Sequence, residues 1–245
     1  MDPSTLAADR PGWMDLLGLA EDEVPRLLAL ESTWWRQDAL ERRLPALADV
    51  RELGLPDLWH GWAGDVPVVY GVVHGASHAA ERVHVLGACG TPVVVHLASC
   101  GALSPSLQIG DIVLPERATV GEGASQYYGQ SRAATANLGK VARAAALLAA
   151  RGVYAHRGST VTASSRLALG STLLRQWQKA GHLAVDQEAS AVFSAAAAFG
   201  MRAVSLLYVW DALPRRPLTE DFSAAESEAQ EQASAEIWEI ALQLA

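Results

Sequence analysis

Val66-Pro67-Val68-Val69-Tyr70-Gly71-Val72-Val73, followed by His74-Gly75-Ala76-Ser77-His78, is the stretch whose reading decides the fold. The first eight residues form an apolar, β-branched run long enough for a strand buried on both faces. The glycine-containing turn after it leads into Ala79–Leu86, whose apolar residues recur at helical spacing. Strand, turn and helix in that order indicate an α/β architecture.

The pattern repeats outward from there. Pro92–Leu97 and Asp111–Pro115 read as further buried strands, and Ala133–Ala150 as an Ala/Leu-rich helix. Gly158–Ser165 reads as a strand and loop, Ser171–Ala180 as a helix ended by Gly181, and Leu183–Val185 as a short strand. Ala189–Phe199 is a small-residue helix, Ala203–Trp210 the last strand, and Ser223–Ala245 an acidic amphipathic helix. Upstream, residues 1–25 read as a polar arm with a short helix around Trp13–Leu19. Arg26–Leu30 reads as a strand and Asp38–Val50 as helical. No repeat or composition break divides the chain, so one domain over residues 1–245 is expected, with a central mixed sheet flanked by helices. Ligands of such sheets sit beyond the carboxyl ends of the strands. The loops after Val73, Leu97, Pro115, Val161, Val185 and Val209 are therefore the candidate site.

Composition narrows the function. The formal net charge of -8 argues against a nucleic-acid footprint, which needs a basic face. No apolar run approaches the ~20 residues that span a bilayer, and the first twenty residues lack the order of a signal peptide. Cys89 and Cys100 form no spaced framework, so reduced thiols and a cytoplasmic location are expected.

Several candidate loops, in order, resemble the nucleoside phosphorylase family, which includes purine nucleoside phosphorylase, uridine phosphorylase and methylthioadenosine/adenosylhomocysteine nucleosidase. Ala98-Ser99-Cys100-Gly101-Ala102 followed by Gly110-Asp111-Ile112-Val113 is similar to the family's Gly-Ser/Thr loop and Gly-Asp-Ile-Val strand. Glu122-Gly123-Ala124-Ser125 and Thr162-Ala163-Ser164-Ser165 resemble uridine phosphorylase segments. Asp186-Gln187-Glu188-Ala189-Ser190-Ala191 resembles Glu-Met-Glu-Ala-Ala-Ala, and Val209-Trp210-Asp211 resembles Val-Ser-Asp. The resemblance covers roughly residues 64–215 and implies a nucleoside phosphorylase-like fold, cleavage of an N-glycosidic bond, and a homo-oligomer between dimer and hexamer.

Breaking that bond passes through a ribosyl cation, so a carboxylate must grip the sugar. The resemblance implies Glu188 for this role, with Gln187 beside it, and Asp211 as the acid for the leaving base. Ser99 is implied at the phosphate side. There the family's Arg, three residues earlier, is replaced by His96, and the N-terminal Gly-Asp-Pro-x-Arg has no match beyond Ser32-Thr33-Trp34-Trp35-Arg36. A phosphate dianion needs several charge-assisted donors, and neutral His replaces Arg poorly. Hydrolysis is therefore expected ahead of phosphorolysis, with inorganic phosphate as the alternative co-substrate. The resemblance to hydrolytic members, which activate water with a glutamate near the N-terminus, implies Glu31, just after the first strand, for that part. No other cofactor and no metal are expected, because His74 and His78, though four apart, are separated by a loop. His74 and His96 are expected at the pocket as polar groups.

The base pocket is expected to use Val161 in place of the family's stacking aromatic, Trp210 in place of its small Ser, and Tyr127 as a lining residue. Trp34, Trp35, Trp59 and Trp62 fall in the N-terminal part that the resemblance implies at subunit contacts and pocket rims, so this Trp-rich region is expected near a subunit interface. A repurposed family member of secondary metabolism, catalysing another reaction or binding a ligand in the same pocket, is the alternative. A serine hydrolase is a further reading, because Leu97-Ala98-Ser99-Cys100-Gly101 nearly matches Gly-x-Ser-x-Gly.

Overall fold

A computed structural model describes residues 9–213 and 220–245. The chain begins with α1 (Arg10–Leu17), β1 (Leu27–Ser32), α2 (Arg36–Arg43), the hairpin β2 (Ala48–Glu52) and β3 (Leu58–Ala63), then β4 (Val66–Val73) and α3 (Ala76–Ala88). It continues through β5 (Val93–Ala102), β6 (Ile112–Gly121), β7 (Ala133–Thr135), α4 (Leu138–Ala150) and β8 (Ala155–Ala163). The last elements are α5 (Ser171–Lys179), β9 (Ala184–Asp186), α6 (Ala189–Ala198), β10 (Arg202–Ala212) and α7 (Ala224–Leu242).

The strands form one mixed sheet in the order β10-β6-β8-β9-β5-β1-β4-β3-β2, with β7 paired to β6. β10 also pairs with β5, in parallel, so five strands close into a ring at one end of the sheet. β1 lies between β4 and β5, parallel to both, and all six of its residues are buried, as a strand covered on both faces requires. Its register sets Ser32 beside both Val73 and Ala98, so β1 and β4 end together while β5 runs four residues further.

Helices cover the two faces. α3 packs against α6 closely enough that a Cβ on Gly87 would stand 2.7 Å from the Cβ of Phe199. α7 lies across β10, β1 and β5, with Trp238 edge-on to Tyr70 at 5.5 Å. Its N-terminus is fixed by a capping box, in which Ser223 and Glu226 each satisfy the other's amide.

The element boundaries differ from expectation in physically readable ways. Asp38–Val50 is not one helix. Pro45 cannot continue α2, which ends in a 3-10 turn at Leu44–Ala46, and the chain then extends into β2. β1 runs through Glu31 to Ser32 rather than stopping at Leu30, and β5 continues through Ala102. Ala133–Thr135 is β7, so α4 begins only after its Asn137 cap. The arm is anchored where it is described, since Met14 and Leu17 of α1 are buried in the main core.

Candidate active site

A cavity of about 580 Å³ opens at the carboxyl ends of β1, β4, β5, β9 and β10, beneath α7. This is where an α/β sheet binds ligands, and the volume suits a small metabolite. Glu31, His74, Ser99, Gln187, Glu188 and Trp210 all line it.

Glu188 caps the start of α6 and is 3% exposed. Its carboxyl accepts the Gly75 amide at 2.7 Å. Gly75 turns the chain from β4 into α3 at φ 84°, a conformation that favours glycine and aims this amide at the carboxyl. Burial, with Asp186 close by, pushes the Glu188 pKa up to about 8, against the pull of the Gly75 amide and the Ser32 hydroxyl. Asp186 is itself committed to structure, accepting the amides of Glu188 at 3.0 Å and Ala189 at 2.5 Å and the Thr162 hydroxyl at 2.8 Å. Burial raises it to about 6.

His96 does not face the cavity as a phosphate-side residue. It is fully buried within β5, with Nε2 2.9 Å from Ser32 Oγ and Nδ1 2.9 Å from Ser205 Oγ. Burial depresses its pKa to about 3, so the ring is neutral. Ligand atoms of His96, Asp186 and Glu188 converge within 4.8 Å. Both His96 nitrogens are taken by serines, however, and both Asp186 oxygens already accept hydrogen bonds. His78 sits inside α3 rather than at a strand end.

Glu31 lies within β1 and is held by three donors. Arg43 contributes two, at 2.8 and 3.1 Å, and the Tyr70 hydroxyl a third at 2.8 Å. Arg36 turns away, ion-pairing with Asp57 at 2.5 Å over the Trp59 ring, and Arg42 supplies the cavity-lining guanidinium of α2 instead. His74 accepts the indole N–H of Trp34 at 2.9 Å, so these two side chains occupy the wall beyond β1 and β4 as a bonded unit.

On the opposite side Asp211 is 3% exposed and pairs with Arg166 at 2.6 Å. Arg166 lines the cavity and Asp211 stands behind it. β10 bulges between Val209 and Asp211, which re-aims Trp210 into the cavity beside Tyr208 and Phe222. Val161 is corrected as a lining residue. It is fully buried among Leu103, Leu174 and Val185, and Ala163 is the β8 residue on the wall. Tyr127 is 82% exposed on the 3-10 turn Ala124–Tyr128, away from the cavity. The neighbouring Glu122 instead fastens that turn to α6 by accepting the Ser190 hydroxyl at 2.9 Å. Ser99 lies inside β5, which continues to Ala102, so the strand-to-helix elbow of a serine hydrolase is not formed.

Arg42, Arg166, Ser32 and the α7 residues were not foreseen as site residues. Arg166 had a local signal, since it directly follows Thr162-Ala163-Ser164-Ser165. Gln230 and Glu231 come to the wall from far along the chain and had none. Among the described residues no helix is long and apolar enough to cross a membrane.

A family model described as "Phosphorylase superfamily" matches residues 50–241. The chain is 26% identical over 126 residues to a purine nucleoside phosphorylase DeoD-type of Alkaliphilus metalliredigens (strain QYMF), covering 51% of this chain and 54% of that one. A DeoD-type relative of Geobacillus kaustophilus (strain HTA426) is 27% identical over 124 residues, with 50% and 52% covered. The matched segment thus spans about half the length of these curated relatives. Uridine phosphorylase from Vibrio fischeri ES114, solved with 6-hydroxy-1-naphthoic acid, superposes with a TM-score of 0.80 at 21% identity, covering 92% of this chain and 93% of that one. A second structure of the Vibrio fischeri enzyme gives 0.80 at 20% identity, with 98% of each chain covered. Both share the fold.

Proposed function

Because the chain belongs to the phosphorylase superfamily, we propose that it cleaves the N-glycosidic bond of a nucleoside-like metabolite, with water preferred to phosphate as acceptor. The observation that carries this reading is Glu188, a buried carboxyl on the cavity wall backed by a glycine amide. Accepting hydrogen bonds from the sugar hydroxyls, it opposes the positive charge that grows on the sugar as the bond breaks. Arg166, held by Asp211, is placed to donate to the departing base. Gln187 and Ser99 supply further polar contacts.

The preference for water is supported by the wall that would face an anion. Trp34 and His74 stand there bonded to each other, Arg36 points to Asp57, and His96 is neutral and enclosed. Among the described lining residues the guanidinium groups are Arg42 and Arg166, and Arg166 is engaged by Asp211. Inorganic phosphate is the competing co-substrate. Glu31, held by Arg43 and lining the cavity, is the carboxylate proposed to contact the attacking water.

A second reading is a repurposed member of secondary metabolism that binds or transforms another ligand in this cavity. The aromatic rim of Trp34, Trp35, Trp210 and Phe222 favours it. Free-base release from a nucleoside panel, with and without phosphate, separates the readings. Release independent of phosphate is expected. No release under either condition refutes bond cleavage, and tryptophan fluorescence then reports whether ligands bind. We also propose a homo-oligomer, with the exposed Trp34 and Trp35 near its contact, to be measured by sedimentation.

A further inference from the structure

His96 is enclosed by two hydroxyls in a symmetric way. Ser32 faces Nε2 and Ser205 faces Nδ1, each at 2.9 Å. A neutral imidazole has one N–H and one bare nitrogen, while a serine hydroxyl can donate or accept. The ring is therefore satisfied in either tautomer. The Glu188 carboxyl adjoins this pair, its Oε2 3.9 Å from His96 Nε2, and the Ser32 hydroxyl acts on it to favour the ionised form. The result is a continuous chain, Ser205–His96–Ser32–Glu188, that ends at the cavity wall.

Two arrangements pair both ring nitrogens and the Ser32 hydroxyl. With Glu188 protonated, its O–H donates to Ser32, Ser32 donates to Nε2, and Nδ1–H donates to Ser205. With Glu188 ionised, Ser32 donates to the carboxylate, Nε2–H donates to Ser32, and Ser205 donates to Nδ1. The two differ by a single proton: Glu188 releases it to water in the cavity, and the ring loses its Nδ1 proton and takes one up at Nε2 by exchange with solvent, so its own proton count is unchanged. A permanent cation at position 96 would favour the ionised form alone, whereas the neutral ring serves both.

We propose that His96 is a positioning residue that changes tautomer with the charge of Glu188, so that Ser32 always presents the matching end of its hydroxyl to that carboxyl. The inference rests on the reading of Glu188 as the sugar-holding group. It keeps both ring nitrogens and the Ser32 hydroxyl paired in either ionisation state of Glu188. Of the other charged groups near Glu188, Asp186 opposes ionisation from the end of β9. Across the cavity stand His74, Arg42 and Glu231, with Glu31 and Arg166 already paired to Arg43 and Asp211.

The test uses the full chain labelled with nitrogen-15 in its histidine rings and no substrate. The His96 signals are identified as those lost in His96→Gln, or, should that variant not fold, as those selectively altered in Ser32→Ala. A neutral ring is expected throughout, protonated on Nδ1 at low pH and on Nε2 at high pH, with its midpoint following Glu188 near about 8. In Glu188→Gln and in Ser32→Ala the pH dependence is expected to vanish. One tautomer across the range, an imidazolium form, or a switch that survives in Ser32→Ala each overturns the proposal. Because no turnover is involved, absent base release refutes the proposed function without touching this result.

Discussion

Arg43→Met offers a quantitative test of how the cavity floor is built. Arg43 is 3% exposed, donates twice to Glu31 and once to Ser234 at 2.7 Å, and lies over the Trp238 ring at 5.5 Å. Met keeps much of the volume but removes the cation, leaving the Glu31 carboxylate buried with Tyr70 as its donor. Breaking a buried pair from one side costs about 3–5 kcal/mol, mostly from the charge left uncompensated. For a chain of this size each kcal/mol moves Tm by roughly 2–4 °C, so a fall of about 6–20 °C is expected. Urea unfolding followed by circular dichroism gives the free energy, and a thermal scan gives the shift. Adding Glu31→Gln to Arg43→Met removes the stranded charge and should return about half the loss, a coupling that a double-mutant cycle isolates. A loss below about 1 kcal/mol for Arg43→Met, or strictly additive losses, would refute the reasoning.

Other outcomes are expected from single side chains. Glu188→Gln should lower base release by about a hundredfold or more, read as kcat/KM, because the amide cannot oppose the sugar's charge. The same variant tests a pH effect. The Glu188 pKa of about 8 lies above its ordinary 4.5, so the folded protein holds this proton more tightly than the unfolded chain does. Its contribution to stability is therefore complete at low pH and lost as pH rises through that window. Glu188→Gln should flatten this part of the profile in urea midpoints, leaving the smaller slope from Asp186 between 3.8 and about 6. An unchanged slope would contradict the assignment. Gly54→Ala should destabilise by about 1–3 kcal/mol or more, since its Cβ would stand 1.8 Å from the Leu16 carbonyl oxygen. Ser223→Ala should cost about 1 kcal/mol by removing the α7 cap, measured as a lower urea midpoint.

The parts of the fold that sequence made legible were those where one face of chemistry persisted along an element. Val66–Val73 is apolar throughout and is β4 without adjustment. β5 looked shorter because Ser99-Cys100-Gly101-Ala102 reads as a loop of small residues, yet it continues as strand paired to β10 and β9 inside the closed end of the sheet. The hairpin β2–β3 was hidden because residues 38–50 carry leucine, alanine and arginine at helical spacing, and Pro45 alone marks the break. In the site, Glu188 was visible through its sequence neighbours. The pairing of Glu31 with Arg43, and of Asp211 with Arg166, depends on where β1, α2, β10 and the loop after β8 meet in space. Residue type alone could not distinguish Arg36 from Arg42 as the cavity's guanidinium.

The far rim of the sheet has a consequence of its own. While β10 closes onto β5, β2 ends the other side with backbone groups that no further strand among the described residues pairs. Such a border can recruit strands from other molecules and seed aggregation. Asp49 adopts φ 50°, and the register of β2 on β3 shifts between Ala48 and Arg51, so the border is kinked rather than straight. Arg51 and Glu52 add charge within the same short strand. The side of the sheet remote from the chemistry is thereby a poor template for a foreign strand.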